Sequence, residues 1–550
     1  MAEEHGKVAE HKEYDVIIIG GGPNGLAVAA YLAKAGQKVL VLEKTYEMGG
    51  GLATEQPAMG GFYFNTHSIY HLMTEYAPPY QDFAPEFERR VKYIYPQPAV
   101  AAPFPDGRWI CLYKDVEKSC ASIAQFSKKD ADTYRKIRPK YAEYMKEFLA
   151  PATYMLAQPS LLQAAKLDAT PLGREISEFT PKSPRTQIEE LFENDHVRAL
   201  MLYLACHWGL EPEVDGIGYL VPLMLDRHVN HALCLAGSHN VASALNRVIL
   251  DNGGHQMTSV IIKRIIIEKG TAKGVELDDG TVYKAKVVAS SIDPFQTFYK
   301  YVGKEHLEKD FIEKVDNFKP EAWSLFTMHL SLWDAPNFTA AAQNPDINKA
   351  FMYVWGLDKE QDVINHFNAV MKGKLSEKPV FYGCFPTVHD RSQAPNRPGR
   401  HTFTASSEAP YKLNGDVNNW WKRQPKLDRV YQLVKIIEKH APNMTADNVM
   451  WEYIASPLDM ENKFSDMWQG SYKQGGYKPL QMGFLRPNEL CSQYETPIKN
   501  LYLCGASTHS GGMVLFGPGY NAANKIAEDL GVKKWWKEPD YLIEAKKKYA

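Results

Sequence analysis

Asp15-Val-Ile-Ile-Ile19 runs straight into Gly20-Gly-Gly-Pro-Asn-Gly25, then into Leu26–Ala35, closed by Gly36. The first stretch is apolar and rich in β-branched residues, the pattern of a parallel strand buried on both faces. Leu26–Ala35 is built of good helix formers, and Gly36 suits the C′ position that ends a helix. A second buried strand, Lys38–Leu42, ends on Glu43. Strand, glycine turn, helix, strand and acid in this order make a dinucleotide-binding unit. Gly20 permits the tight turn, Gly22 lets the backbone approach a pyrophosphate, and Gly25 lets the helix pack on the strand. The helix N-terminus offers free N–H groups and partial positive charge to the phosphates. Glu43 lies 23 residues after Gly20, where an acid accepts hydrogen bonds from the ribose and repels a 2′-phosphate.

The continuation points to FAD. Just past the ribose acid and Lys44, a second cluster, Gly49–Gly51, can wrap the ribityl and phosphate region. Near the other end, Asn500-Leu-Tyr-Leu-Cys-Gly505 reads as a strand meeting a glycine. Ala506-Ser-Thr-His-Ser-Gly-Gly512, Phe516-Gly-Pro-Gly-Tyr-Asn521 and a helix over Ala522–Leu530 follow. A helix N-terminus behind Gly517 and Gly519 would direct positive charge at the flavin N1/C2 edge, where negative charge gathers on reduction. Between these ends, Asn240–Leu250 reads as a helix and Val260–Glu268 as a strand, with Val260 beside the adenine. Gly274–Leu277 and Val282–Ala289 form a hairpin across Asp278-Asp-Gly280. The expected cofactor set is therefore Gly20, Gly22, Gly25, Glu43, Lys44, Gly50, Gly51, Val260, Gly505, Gly519, Tyr520 and Asn521. No second G-x-G-x-x-G follows a strand, so a nicotinamide domain is not expected. Electrons would pass to a quinone, oxygen or a carrier protein.

The fold class expected is α/β, a Rossmann-type FAD-binding domain with a discontinuous mixed-sheet substrate domain and a helical lid. The FAD domain takes 14–75, 226–300 and 495–530; the substrate domain takes 76–225 and 301–494; 531–550 is a tail. In the lid, Lys129–Leu149 is charged on one face, His196–Leu210 is apolar, and Tyr154–Leu167 mixes Met, Leu and Ala. Ala322–Leu332 and Pro379–Phe385 read as floor strands, and Asn419 starts an amphipathic helix running past Pro425 to about His440.

Length agrees with several domains: 550 residues exceed one compact core. Apolar residues are 45% and charged residues 23%, which suffices for large cores. A net charge of −2 gives no basic face for nucleic acid. Seven scattered cysteines without a C-x-x-C pair read as reduced, buried thiols. Met1–Glu13 is polar, with Glu3, Glu4, Glu10 and Glu13, and no run suits a signal peptide or a membrane span. The expected location is cytoplasmic, with a peripheral contact to the inner face of a membrane and assembly into homo- or hetero-oligomers left open. Trp535-Trp536 among lysines 533, 534 and 537 suits either a bilayer interface or an arm packed on the protein itself. His228-x-x-His231 lacks a third ligand and reads as a satisfied polar pair, so no metal is expected.

These marks resemble the phytoene desaturase branch of the amine-oxidase-like flavoproteins, which includes carotenoid desaturases and isomerases. The resemblance spans nearly the whole chain. It rests on the Gly20–Gly25 fingerprint with Glu43, on Gly49–Gly51, and on Gly61-Phe-Tyr-Phe64. Later it rests on Ser456-Pro-Leu-Asp-Met-Glu461, Gly470, Gln481, Arg486-Pro487 and Leu503–Gly512. It implies an FAD-dependent oxidoreductase of the desaturase or dehydrogenase type, acting on carbon–carbon or allylic C–H bonds of an apolar, isoprenoid or terpenoid substrate by hydride transfer. A double-bond isomerase or saturase is the neighbouring alternative; an amine oxidase and a lipid-binding escort protein are the distant ones. One departure bears on the pocket. Carotenoid desaturases carry an acid and then a small residue after Gly-Phe-x-Phe, whereas this chain has Phe64-Asn-Thr-His67. His67 is the first candidate for proton handling. His509, in the C-terminal glycine-rich loop, is the second, with loop ordering as its other role.

Overall fold

The structure, a computed structural model, describes residues 12–549; Glu3, Glu4, Glu10 and Ala550 lie outside the described residues. Two seven-stranded sheets organise the chain. In the first, Glu13–Ile19 lies parallel to Val39–Leu42 on one side and to Val282–Ser290 on the other. His255–Met257 extends it beside Val39–Leu42, and Leu501–Leu503 pairs in parallel with Val282–Ser290. Val16, Ile17 and Ile18 are fully buried, as an apolar run sandwiched by helices requires. Thr271–Leu277 pairs antiparallel with Val282–Ser290 as the expected hairpin, and Ile262–Glu268 adds antiparallel to its other edge.

The second sheet draws its strands from 100–112 and 324–455, and its long central pair is Ser324–Leu332 against His401–Ala409. Over it lies a helical layer: Lys128–Tyr144, Ala150–Tyr154, Ser160–Asp168, Pro171–Phe179, Pro184–Leu191 and Asp195–Cys206. The side chains of Ser127, Thr170, Ser183 and Asn194 each cap a helix start by accepting backbone N–H bonds. The predicted helix from Asn419 divides instead. A short 3-10 turn covers Val417–Trp421 and the α-helix begins at Arg423, which places Pro425 in the first turn, where its missing N–H costs nothing.

The tail packs on the protein itself. Trp536 is 6% exposed and Trp535 stacks on Tyr31, donating its indole N–H to the Tyr31 carbonyl at 3.1 Å. The bilayer reading of this tryptophan pair is corrected: the rings are spent on an aromatic cluster of the first domain. All seven cysteines are buried and free. Among the described residues no helix is long and apolar enough to cross a membrane.

Candidate functional site: a nucleotide cradle joined to an apolar chamber

The first sheet ends in a cavity of about 270 Å³. Gly20 takes φ +92°, a value that suits glycine, and its amide donates to the Leu42 carbonyl at 2.9 Å, closing the turn between the two strands. Gly22 is the N-cap of the helix Pro23–Lys34 and has no side-chain cap, so the first-turn amides point outward. A Cβ on Gly22 or Gly51 would meet nothing within 4 Å, whereas one on Gly25 would sit 2.2 Å from the Gly20 carbonyl oxygen. Gly22 and Gly51 thus front the cavity, and Gly25 serves helix–strand packing. Glu43 is held by its own turn: Oε2 accepts the Gly21 amide at 2.8 Å and Oε1 the Thr45 amide at 2.7 Å. Oε1 also accepts the Thr45 hydroxyl at 2.9 Å, which leaves Oε2 with a lone pair for a further donor. Lys44 and Val260 also line the cavity. The Val260 amide donates to the Glu43 carbonyl at 3.1 Å, which fixes Val260 beside the acid.

His67 lines the same cavity, its ring edge-on to Phe464 at 4.7 Å. Burial first, then the neighbouring Lys463 and His329, hold its pKa well below the ordinary imidazole value. It is therefore neutral at neutral pH, which corrects the expectation of a group titrating there. The Asn65 substitution acts behind the wall: its Oδ1 accepts the Thr54 hydroxyl at 2.7 Å and the Ser238 amide at 2.9 Å.

The C-terminal expectations need correction. The helix begins at Gly517, not at 522, so Gly519 lies in its first turn, where a Cβ would stand 2.6 Å from the Asn24 carbonyl oxygen. Gly505 is likewise crowded, 2.3 Å from the Ser291 carbonyl oxygen. Both glycines admit neighbouring backbone and do not front the cavity. Tyr520 is buried beside Tyr31, and Asn521 donates to the Thr153 and Met155 carbonyls at 3.2 and 3.3 Å. The wall is made by their neighbours Ala506, Gly512, Met513 and Val514. His509 faces a different cavity and binds the lid through Nε2 to the Ala152 carbonyl at 2.7 Å. Burial pushes its pKa down to about 4, and the contact with Ala152 ties the glycine-rich loop to the helix Ala150–Tyr154.

That second cavity, of about 590 Å³, lies under the lid helices and is walled by Met73, Phe148, Leu156, Leu220, Leu223 and Met224 among others. Leu72, Trp208 and Met513 line both cavities and form their common wall. Trp208 is fixed there by donating to the Tyr70 hydroxyl at 3.0 Å and by stacking on His228 at 3.9 Å. Behind it, burial holds His207, His228 and His231 neutral. His228 Nδ1 donates to the Met224 carbonyl at 2.6 Å, so its Nε2 accepts from His207 Nε2, also at 2.6 Å. Among the described residues no cluster suits a metal ion.

Sequence reasoning missed Lys463, Asp466, Lys473 and Gln474, all on the cofactor-side wall. Burial first, then Asp293 and Glu43, push Asp466 up to about 7. The available signal was Ser456-Pro-Leu-Asp459. It is a capping box, in which Ser456 and Asp459 satisfy one another's amides, and it starts the helix Pro457–Lys463 that delivers Met460, Lys463 and Phe464 to the cavity.

Residues 18–87 match the model of an NAD(P)-binding Rossmann-like domain. A limonene dehydrogenase polypeptide of Castellaniella defragrans is 38% identical over 98% of this chain and 99% of that protein. The neurosporene-forming phytoene desaturase of Rhodobacter capsulatus is 25% identical over 93% of this chain and 94% of its own length. Among solved structures, cyclohexylamine oxidase from Brevibacterium oxydans superposes with a TM-score of 0.56 at 16% identity, covering 94% of this chain and 99% of that one, a likeness of fold. An alignment at 38% identity leaves almost no part of either chain unmatched, so this chain belongs to the phytoene desaturase-like flavoprotein oxidoreductases, the family that includes the limonene dehydrogenase polypeptide.

Proposed function

We propose that the protein holds FAD in the first cavity and uses it to dehydrogenate an apolar, isoprenoid-type molecule seated in the second. The observation that carries this reading is that the two cavities adjoin: Leu72, Trp208 and Met513 line both the glycine-lined nucleotide cradle and the apolar chamber, so a ligand in one can reach the other there. FAD supplies the hydride acceptor. The chain's residues do the rest. The amides at the start of Pro23–Lys34 meet the pyrophosphate, Glu43 the ribose and the Val260 carbonyl the adenine, with Lys44, Gly50 and Gly51 along the way. The cofactor domain would comprise 14–75, 226–300 and 495–530, and the substrate domain 76–225 and 301–494. The lid helices wall the chamber largely with apolar side chains, which favours an apolar ligand. Two relatives named for a terpene and a carotenoid precursor support the substrate class. Electrons leave to a quinone, oxygen or a carrier protein.

The deciding experiment is anaerobic mixing of the yellow holoprotein with monoterpene and longer isoprenoid hydrocarbons. Bleaching of the flavin band, with an oxidised product by mass spectrometry, supports the reading. Denatured protein that releases no FAD, or releases NAD instead, removes it.

Glu43→Ala is expected to weaken FAD binding by roughly 1.5–3 kcal/mol, the loss of a charge-assisted hydrogen bond. Titration of apoprotein with FAD, followed by fluorescence quenching, measures this. His67 is proposed as the polar group facing the reacting centre. Because it stays neutral, single-turnover flavin reduction should show no limb near pH 6.5 that disappears in His67→Gln. Finding such a limb would mean that His67 titrates in the ordinary range after all.

A further inference from the structure

Beneath the wall formed by Ala506 and Gly512–Val514, two buried cations meet one buried acid. Lys473 and Arg486 are both 0% exposed, and Glu321 is 8% exposed. The acid is already engaged: it accepts the Lys473 backbone amide at 2.8 Å and the Ser471 hydroxyl. The Lys473 ammonium donates to the Trp208 carbonyl at 2.5 Å and lies over the rings of Tyr477 and Tyr472, at 4.2 and 4.9 Å. Removing an ammonium from water costs more than one carbonyl and two ring faces return. The surroundings are nevertheless built to admit it. Gly209 has φ +99°, and a Cβ there would lie 2.0 Å from Lys473 Nζ. A Cβ on Gly512 would lie 3.0 Å from Lys473 Cα, so the glycine-rich loop rests directly on this residue. Lys473 lines the cofactor-side cavity together with Trp208 and Met513, at the common wall.

We propose that Lys473 is the fixed counter-charge for the electron pair taken up in the cofactor cavity, and that its ammonium raises the cofactor's affinity for that pair. The inference rests on the FAD reading above. When substrate carbon gives up a hydride, the electron pair enters the isoalloxazine and negative charge gathers at its N1/C2 edge. A cation held in low dielectric beside the cavity stabilises that charge far more than one in water would. Burial pushes the Lys473 ammonium down to about 8, with Glu321 opposing and Arg486 adding to the shift, so it is still mainly protonated at pH 7. Arg486 is committed to backbone carbonyls, which leaves Lys473 as the cation with donors to spare.

The test is the midpoint potential of bound FAD in the purified holoprotein, measured against a reference dye. Lys473→Met should lower the two-electron reduction constant at least tenfold, a shift of about 30 mV. Sulfite, which also places negative charge on the flavin, should bind at least tenfold more weakly, and Lys473→Arg should restore most of both. Lys473→Gln, a second neutral variant that keeps a donor for the Trp208 carbonyl, should lower both in the same direction, which keeps the test decisive if Lys473→Met does not fold. FAD bound with an unmoved potential in these variants overturns this inference alone. A protein that takes up no FAD overturns the reading beneath it as well.

Discussion

Gly22→Val should yield a folded but colourless protein. Gly22 has φ −72° and ψ 176°, an extended conformation that valine adopts readily. A Cβ there meets nothing within 4 Å, so the branched side chain starts into the open cavity and not into packed polypeptide. The space it takes is the approach to the outward-facing amides of the helix Pro23–Lys34. Overfilling a close contact costs about 1–3 kcal/mol, and each displaced charge-assisted hydrogen bond to phosphate adds about 1.5–3 kcal/mol. FAD affinity should therefore fall by roughly a hundredfold or more. Circular dichroism of the apoprotein should be unchanged, while the flavin absorbance after purification is lost. Gly25→Val is the control, because its Cβ would stand 2.2 Å from the Gly20 carbonyl oxygen and should damage the fold itself. A yellow Gly22→Val protein with ordinary FAD content would show that the pyrophosphate does not lie where the turn points.

Arg486→Met should be the most destabilising change on the C-terminal side of the site. The guanidinium donates to six backbone carbonyls: those of Lys473, Gln474, Gly475, Gly476, Ala506 and Thr508. These belong to two segments, 473–476 and 506–508, and each contributes wall residues to the cavity. Methionine fills part of the volume but strands the carbonyls in a place water does not reach. Loss of a buried, fully hydrogen-bonded charge typically costs about 3–5 kcal/mol. Arg486→Lys should recover only a part, since an ammonium cannot span the fork of carbonyls. Urea midpoints for the three proteins, read by tryptophan fluorescence, decide the matter; equal midpoints for wild type and Arg486→Met would show that these carbonyls find other donors. FAD content should fall along with stability, because the same residues hold the wall.

Residues 15–43 alone carried strand, turn, helix and acid, and the structure keeps each of them within three residues. The reason is local. In a strand–turn–helix unit the glycine roles depend on neighbours a few positions away, so spacing and residue type suffice. The same holds for the hairpin at 271–290. At the C-terminal end the logic fails. Gly505 and Gly519 look like cradle glycines, yet each faces backbone from a remote segment, Ser291 and Asn24. A glycine that admits a ligand and a glycine that admits a neighbouring chain carry the same signature, and only the long-range approach tells them apart. His509 shows the same limit, since its meaning depends on the Ala152 carbonyl, 357 residues away. Sequence determined that this chain builds a nucleotide cradle and enough apolar helix to cover a chamber. Tertiary structure decided that cradle and chamber share Leu72, Trp208 and Met513, that His67 is neutral, and that the Lys473 ammonium is sealed beside them, because burial and charge proximity are properties of segments meeting across the fold.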